Sequence, residues 1–271
     1  MKLTIGMAHH TDYHGAYFTI QDIRKELIFN GREDLLDKIE FVVVENAPDN
    51  EHAKALKGLQ GDQNKIKIVD SSEVEGTCVA KNKIIEEASG DFVLGMDCHV
   101  MLCPTVKVIQ ALFDFMDANP DTNNLHHGPL IYDSLNHFST HFNDIWSAEM
   151  WGQWGQAWTC ECRDANFTIV NREGKAQVLS LLKQEECTHC PSCKKEYPEI
   201  QYQQHEKAFL DQGCRMSAEG DEPFEIPMQG LGLFFVRKDA WLKFNEHSVG
   251  FGGEEGYIHE KYRKNGHKTL C

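Results

Sequence analysis

No stretch of this chain approaches 18 consecutive apolar residues, so the sequence offers no membrane-spanning helix. The long apolar core of a secretory leader is missing too, and Met1-Lys2-Leu3-Thr4-Ile5-Gly6 reads as the first strand of a fold. Excess positive charge is also lacking. With 27 Lys and Arg against 42 Asp and Glu, the net charge of −15 repels nucleic acid except at a local basic patch. Internal repeats and low-complexity tracts are absent. These absences predict a soluble protein without a membrane partner, placed in the cytoplasm (a host cytoplasm in a viral setting). The 41% apolar content suffices for a buried core. Cysteine, by contrast, is plentiful. Ten cysteines without a leader favour thiols or metal over disulfides.

The first half alternates strand and helix patterns. Leu3 to Ala8, Phe41 to Val44, Ile66 to Val69 and Phe92 to Met96 are short apolar runs of strand length. Between them, Tyr17 to Phe29, Glu51 to Leu59 and Cys78 to Ala88 have helical spacing, with Thr77 as N-cap of the last. Pro104 opens a further helix in its first turn. This alternation predicts an α/β fold with a mostly parallel central sheet flanked by helices, and ligands beyond the carboxyl ends of its strands. His9, Glu45, Asp70 and Asp97 all fall at such ends. From Phe138 to Arg215 the rhythm stops, and it resumes with a strand at Gly230 to Val236, a helix at Lys238 to Phe244 and another at Glu255 to Lys264.

Two stretches carry chemistry. In Asp97-Cys98-His99 the acid and the imidazole are two residues apart at a strand end, so both can face one way. One carboxylate oxygen beside one imidazole nitrogen suits a divalent metal that also accepts substrate oxygens, Mn²⁺ (or Mg²⁺) rather than Ca²⁺. Gly250-Phe-Gly-Gly-Glu-Glu-Gly256 is a glycine loop that delivers two carboxylates to a helix start. Acids at a helix start are also favoured by the macrodipole alone. Lys81, one turn into its helix, is placed to reach phosphates, against a bland reading as a solvated lysine.

The order of parts resembles the GT-A fold glycosyltransferases of the family-2 type, within them the polypeptide N-acetylgalactosaminyltransferases and galactosyltransferase-like enzymes. Gly76-Thr-Cys-Val-Ala-Lys-Asn82, Ala88-Ser-Gly and the strand ending in Asp97-Cys98-His99 are similar to that family's helix start and Asp-x-His metal motif. Met228 to Val236, Trp241 and Phe251-Gly-Gly-Glu-Glu255 are similar to its acceptor-side elements. The resemblance implies a transferase that moves a sugar from a nucleoside-diphosphate sugar (a UDP-sugar) to an acceptor hydroxyl. It puts Glu255 at the general-base position of inverting members and Glu254 at an acceptor-binding position. Gly252 and Gly253 let the loop approach the acceptor. Glu45 and Asn46 stand where the family has an Asp-containing turn for base and ribose. For the third metal ligand, His267 serves, or phosphate and water complete the shell, or the ligand lies beyond this segment. Inversion and retention stay open.

The implied organisation is a nucleotide-sugar-binding half at 1–137, a Trp- and Cys-rich insertion at 138–215, and an acceptor-side, catalytic part at 216–271. In the insertion, Cys160-x-Cys162 and Cys187-x-x-Cys190-x-x-Cys193 offer five thiols where tetrahedral zinc needs four. A structural Zn²⁺ would brace an insertion expected to lack its own core, against a reading of buried, unligated cysteines. Trp151 and Trp154 are candidates to stack on acceptor sugar faces, against plain packing, and His126 and His127 read as structural. The acceptor itself stays open between a protein, a glycan and a modified DNA base. Two other functions compete: a nucleotidyl- or other group-transferring relative on the same scaffold, and a non-catalytic zinc-braced binding module.

Overall fold

Leu3, Ile5 and Met7 point to one side of the first strand and Thr4 and Gly6 to the other, and all are buried. Burial on both faces is the condition of an interior strand in a parallel sheet. The computed structural model, which describes residues 1–47, 50–71, 76–132, 135, 137–147, 150–220, 222–248, 250 and 252–271, shows that sheet. The chain divides into two compact units, one of Met1–Leu125 with Leu231–His267 and one of His126–Gly230 with Lys268–Cys271.

In the first unit the chain runs β1 (Leu3–His9), α1 (Tyr13–Phe29), α2 (Glu33–Leu36), β2 (Ile39–Glu45), α3 (Glu51–Lys57), β3 (Ile66–Asp70), α4 (Thr77–Glu87), β4 (Phe92–Asp97) and α5 (Thr105–Ala118). Strands β3, β2, β1 and β4 lie side by side in that order, all parallel, and the strand Leu233–Arg237 adds antiparallel to β4. Register sets the strand ends level: His9 pairs with Glu45, Ala8 with Asp97, and Glu45 with Asp70. One core of Leu3, Ile5, Ile20, Ile23, Phe41 and Phe92 lies on one side of the sheet, and another of Val42, Ile84, Phe234, Trp241 and Tyr262 on the other.

Gly6 and Gly95 are register partners, and each leaves room for a neighbour. A Cβ on Gly6 would meet Ile84, and one on Gly95 would fall inside the Phe234 ring. Gly95→Ala is therefore expected to overpack this layer and cost about 1–3 kcal/mol. A lower urea midpoint at unchanged slope would show it. A loss below about 0.5 kcal/mol would mean that the ring simply moves aside.

Several element boundaries differ from expectation for identifiable reasons. Helix α1 begins at Tyr13, four residues early, because Asp12 caps it and accepts from the Gly15 N–H at 3.0 Å. Gly76, not Thr77, precedes α4, and among the described residues no side chain caps that helix. Pro104 is the residue before α5 rather than part of its first turn. The expected helix Lys238–Phe244 is only a 3₁₀ turn at Lys238–Ala240. Asn82 of α4 reaches across and accepts from Trp241 Nε1 and from the Phe244 N–H, both at 2.9 Å, which fixes the segment in a non-helical path.

The second unit is antiparallel. His141–Ser147 and Met150–Gly155 form a hairpin. Lys175–Ser180, Asn166–Arg172, Ala157–Thr159 and Arg215–Met216 form a sheet in that order. The expectation of a segment without its own core is corrected here. Trp158, Phe167, Ile169, Val178, Tyr197 and Phe209 are buried together, with the Phe167 and Phe209 rings 5.3 Å apart.

Candidate active site and cysteine cluster

The carboxyl ends of β1, β2 and β4 bring together most of the expected donor-side residues. Asp97 is partly buried, and its Oδ2 overhangs Gly232, where a Cβ would sit only 2.9 Å away. Its N–H donates to the Gly232 carbonyl at 3.0 Å. The turn that follows is locked by Thr19, whose hydroxyl donates to the Cys98 carbonyl at 2.6 Å. His99 stands on that turn with its side chain 74% exposed, and its Nδ1 lies 3.5 Å from Asp12 Oδ2. Asp12, which the sequence reading did not single out, thus sits beside Nδ1 and leaves Nε2 as the free donor. An accessible imidazole nitrogen and a carboxylate set against a glycine fit a divalent cation. Among the described residues no third Cys, His, Asp or Glu joins Asp97 and His99 in a cluster. His267 in particular does not, because it is drawn back against Tyr262, with ring centroids 6.2 Å apart and its N–H bonded to the Tyr262 carbonyl.

His9 and Glu45 are both fully buried, and His9 Nδ1 approaches Glu45 Oε2 to 2.5 Å without a well-directed hydrogen bond. Among the described residues His9 Nε2 has no hydrogen-bonding partner. Glu45 Oε1 accepts from the Ala47 N–H at 2.6 Å. Asn46 joins three strand ends, since its N–H donates to the His9 carbonyl, its amide to the Ser71 carbonyl, and its Oδ1 accepts from the Gly76 N–H. Asp70 is exposed at the end of β3, 3.7 Å from Lys57. Lys81 departs from the bland reading of a solvated lysine. It shares the buried face of α4 with Cys78 and Ile85, at spacings of three and four, and so lies inside rather than on the surface.

The two carboxylates of the glycine loop divide. Gly252 and Gly253 have φ of 104° and 82°, a left-handed backbone that only glycine adopts without strain, and among the described residues nothing would crowd a Cβ at either. Phe251 of the same motif lies outside the described residues. The loop is tied to the start of α4, where the Thr77 N–H donates to the Gly250 carbonyl at 3.2 Å. Glu254 is buried and its Oε2 accepts from the Gly252 N–H at 2.8 Å, so it closes the loop on itself. Glu255 is only partly buried. Burial, and then the Glu254 charge, push its carboxyl above the usual range, while Lys81 and the Leu231 N–H work the other way. The Leu231 N–H thus favours the charged form of Glu255, while Gly232, the next residue, touches Asp97. One peptide unit links the two.

In the second unit, Trp151 faces Trp146 with both exposed and ring centroids 6.4 Å apart, while Trp154 packs on Phe142 at 4.0 Å. His126 is partly buried, and burial lowers its imidazole to about 4. All ten cysteines are free thiols. Those of Cys160, Cys162, Cys190 and Cys193 lie within 4.8 Å of one another, with Cys160–Cys193 and Cys162–Cys190 both at 3.7 Å. That is far too long for a disulfide. It matches the roughly 3.8 Å edge of a tetrahedron whose metal–sulfur bonds are about 2.3 Å. Cys187 drops out, its thiol donating instead to the Glu185 carbonyl at 3.4 Å. Although burial pushes the Cys190 thiol up, the N–H groups of Cys193 and Ser192 and the neighbouring thiols bring it down to about 6. Cys214, buried against Cys160, was missed by spacing because it lies two dozen residues further on.

Residues 19–171, more than half of the chain, match the family model for glycosyl transferase family 2. The chain belongs to glycosyl transferase family 2. Its sheet is that of the GT-A fold, and a solved structure of GalNAc-T7 with UDP, GalNAc and Mn²⁺ aligns with all of it at a TM-score of 0.52 and 14% identity. Mannosyltransferase PcManGT from Pyrobaculum calidifontis, in complex with GDP-Man and Mn²⁺, aligns with 47% of this chain at a TM-score of 0.38 and 18% identity. TarS 1–349 of S. aureus in complex with UDP-GlcNAc aligns with 48% at 0.35 and 15%. This glycosyl transferase family 2 chain spans 42%, 35% and 34% of those three chains respectively. No curated protein sequence matches it. Among the described residues no helix is long and apolar enough to cross a membrane.

Proposed function

We propose that this chain transfers a sugar from a nucleoside-diphosphate sugar, with UDP as the nucleotide, to an acceptor hydroxyl. The observation that carries the reading is the junction at Leu231-Gly232, where the Gly232 carbonyl accepts from the metal-motif acid Asp97 and the Leu231 N–H favours the charged form of the partly buried Glu255. Asp97 and His99 would hold a Mn²⁺ or Mg²⁺ ion, which when bound supplies Lewis-acid stabilisation of the departing diphosphate. Glu255 takes the acceptor's proton, and its raised affinity for protons suits a general base. Glu254 holds the loop that aims it.

Among the described residues the buried His9 Nε2 beside Glu45 has no hydrogen-bonding partner, and a nucleobase would provide one, with Asn46 and Asp70 at the neighbouring strand ends. Lys81 is the expected phosphate contact, and its charge also favours the ionised form of Glu255. Trp151 and Trp154 offer aromatic faces to an acceptor, whether protein, glycan or modified base. Cys160, Cys162, Cys190 and Cys193 would hold a structural zinc ion, in a chain kept reduced in the cytoplasm.

Titration calorimetry with UDP-sugars in Mn²⁺ tests the donor side. Asp97→Ala and His99→Ala are each expected to weaken Mn²⁺-dependent binding by tenfold or more, at about 1.4 kcal/mol per decade, with the circular dichroism unchanged. Equal affinity in wild type and both variants, or in wild type with EDTA, would reject the metal assignment.

A further inference from the structure

Helix α1 is apolar on both sides. Ala16, Ile20, Ile23 and Leu27 turn one side into the core. The opposite side exposes Phe18 (63%), Phe29 (78%) and Ile28, with Met101 beside them, around a groove of about 470 Å³. Two phenylalanines this exposed on one helix face are unusual for a finished surface. Phe18 and Phe29 are eleven residues apart, three helical turns, so they mark the two ends of one stripe about 16 Å long. Between them stand Asp22 and Lys25, 3.8 Å apart.

That spacing is symmetric. If a second α1 lies antiparallel on the first about a twofold axis between Ile23 and Arg24, Phe18 faces Phe29 at both ends. Asp22 of each copy then faces Lys25 of the other, so the charges match twice. We propose that this face is an isologous interface between two copies of the chain, formed by antiparallel packing of α1. A membrane surface fits less well, because Asp22 and Glu26 flank Lys25 and the chain carries a net charge of −15. One helix pair is a small interface, so the dimer should form in the micromolar range.

The test is sedimentation velocity of the intact chain from about 1 to 100 µM, without metal or nucleotide. The weight-average mass should rise toward twice the monomer's, and Phe18→Glu should hold it at monomer across the range. Asp22→Lys alone and Lys25→Asp alone set like charges across the axis, so each should weaken dimerisation by about tenfold. The double exchange Asp22→Lys with Lys25→Asp rebuilds the match and should restore it. Circular dichroism of each variant guards against misfolding. A monomer at every concentration, or a dimer that Phe18→Glu leaves intact, overturns the proposal. So do single exchanges that leave dimerisation unchanged, and a double exchange that fails to recover it.

Discussion

Glu255→Gln is expected to lower turnover by about 10²-fold or more while nucleotide binding stays near normal. Gln keeps the size and polarity of the side chain, but it cannot take a proton. The assay is release of nucleoside diphosphate from sugar nucleotides, with binding measured separately in Mn²⁺. The pH profile gives a second readout. A base works only when ionised, and burial together with the Glu254 charge raises the Glu255 pKa. The acid limb of kcat/KM should therefore lie above the usual glutamate range. Glu254→Gln removes one of the two causes and should move that limb to lower pH. For stability the sign is opposite: a folded-state pKa above the unfolded one contributes stability that is complete below the unfolded value and is lost as pH rises through the folded one. If Glu254→Gln abolishes turnover and Glu255→Gln spares it, the two roles are exchanged.

The second large effect belongs to the cysteines. Protein purified without added metal should contain about one zinc per chain by elemental analysis. Cys162→Ser or Cys190→Ser should lose it, and Cys187→Ser should keep it, since Cys187 lies outside the cluster. A four-thiolate zinc site contributes on the order of 10 kcal/mol to folding, comparable with the whole stability of a domain. Chelation should therefore melt the second unit while the parallel sheet persists, which hydrogen exchange can follow unit by unit. Zinc absent from native protein, or equal metal loss in all three variants, would contradict this.

What the sequence disclosed follows the range of the forces involved. Leu3 to Ala8 and Phe41 to Val44 are legible because burial on both faces leaves a run of apolar residues, and the α/β alternation follows from them. Asp97, His99, Glu254 and Glu255 are legible because each stands at a strand end or helix start that the local pattern marks. Lys238–Phe244 misleads, since its path is set by Asn82, distant in sequence. Lys81 misleads in a smaller way, because a charged letter suggests surface while the spacing to Cys78 and Ile85 places it inside. In the second unit the alternation of Asn166–Arg172 and Lys175–Ser180 about Glu173-Gly174 is a hairpin pattern that the cysteine spacing overshadowed. Five thiols could not be reduced to four by spacing, because the choice rests on where the Cys160 and Cys190 loops meet in space.

The antiparallel strand Leu233–Arg237 pairs with β4, Phe235 opposite Leu94, after His126–Gly230 of the second unit have intervened. On a ribosome adding roughly 5–20 residues per second, β4 emerges on the order of ten seconds before its partner. During that interval it is an apolar edge with unpaired amides, open to any strand nearby. The nascent first unit is thus a template awaiting its C-terminal portion, and the vulnerable period of this protein's life falls in synthesis rather than in service.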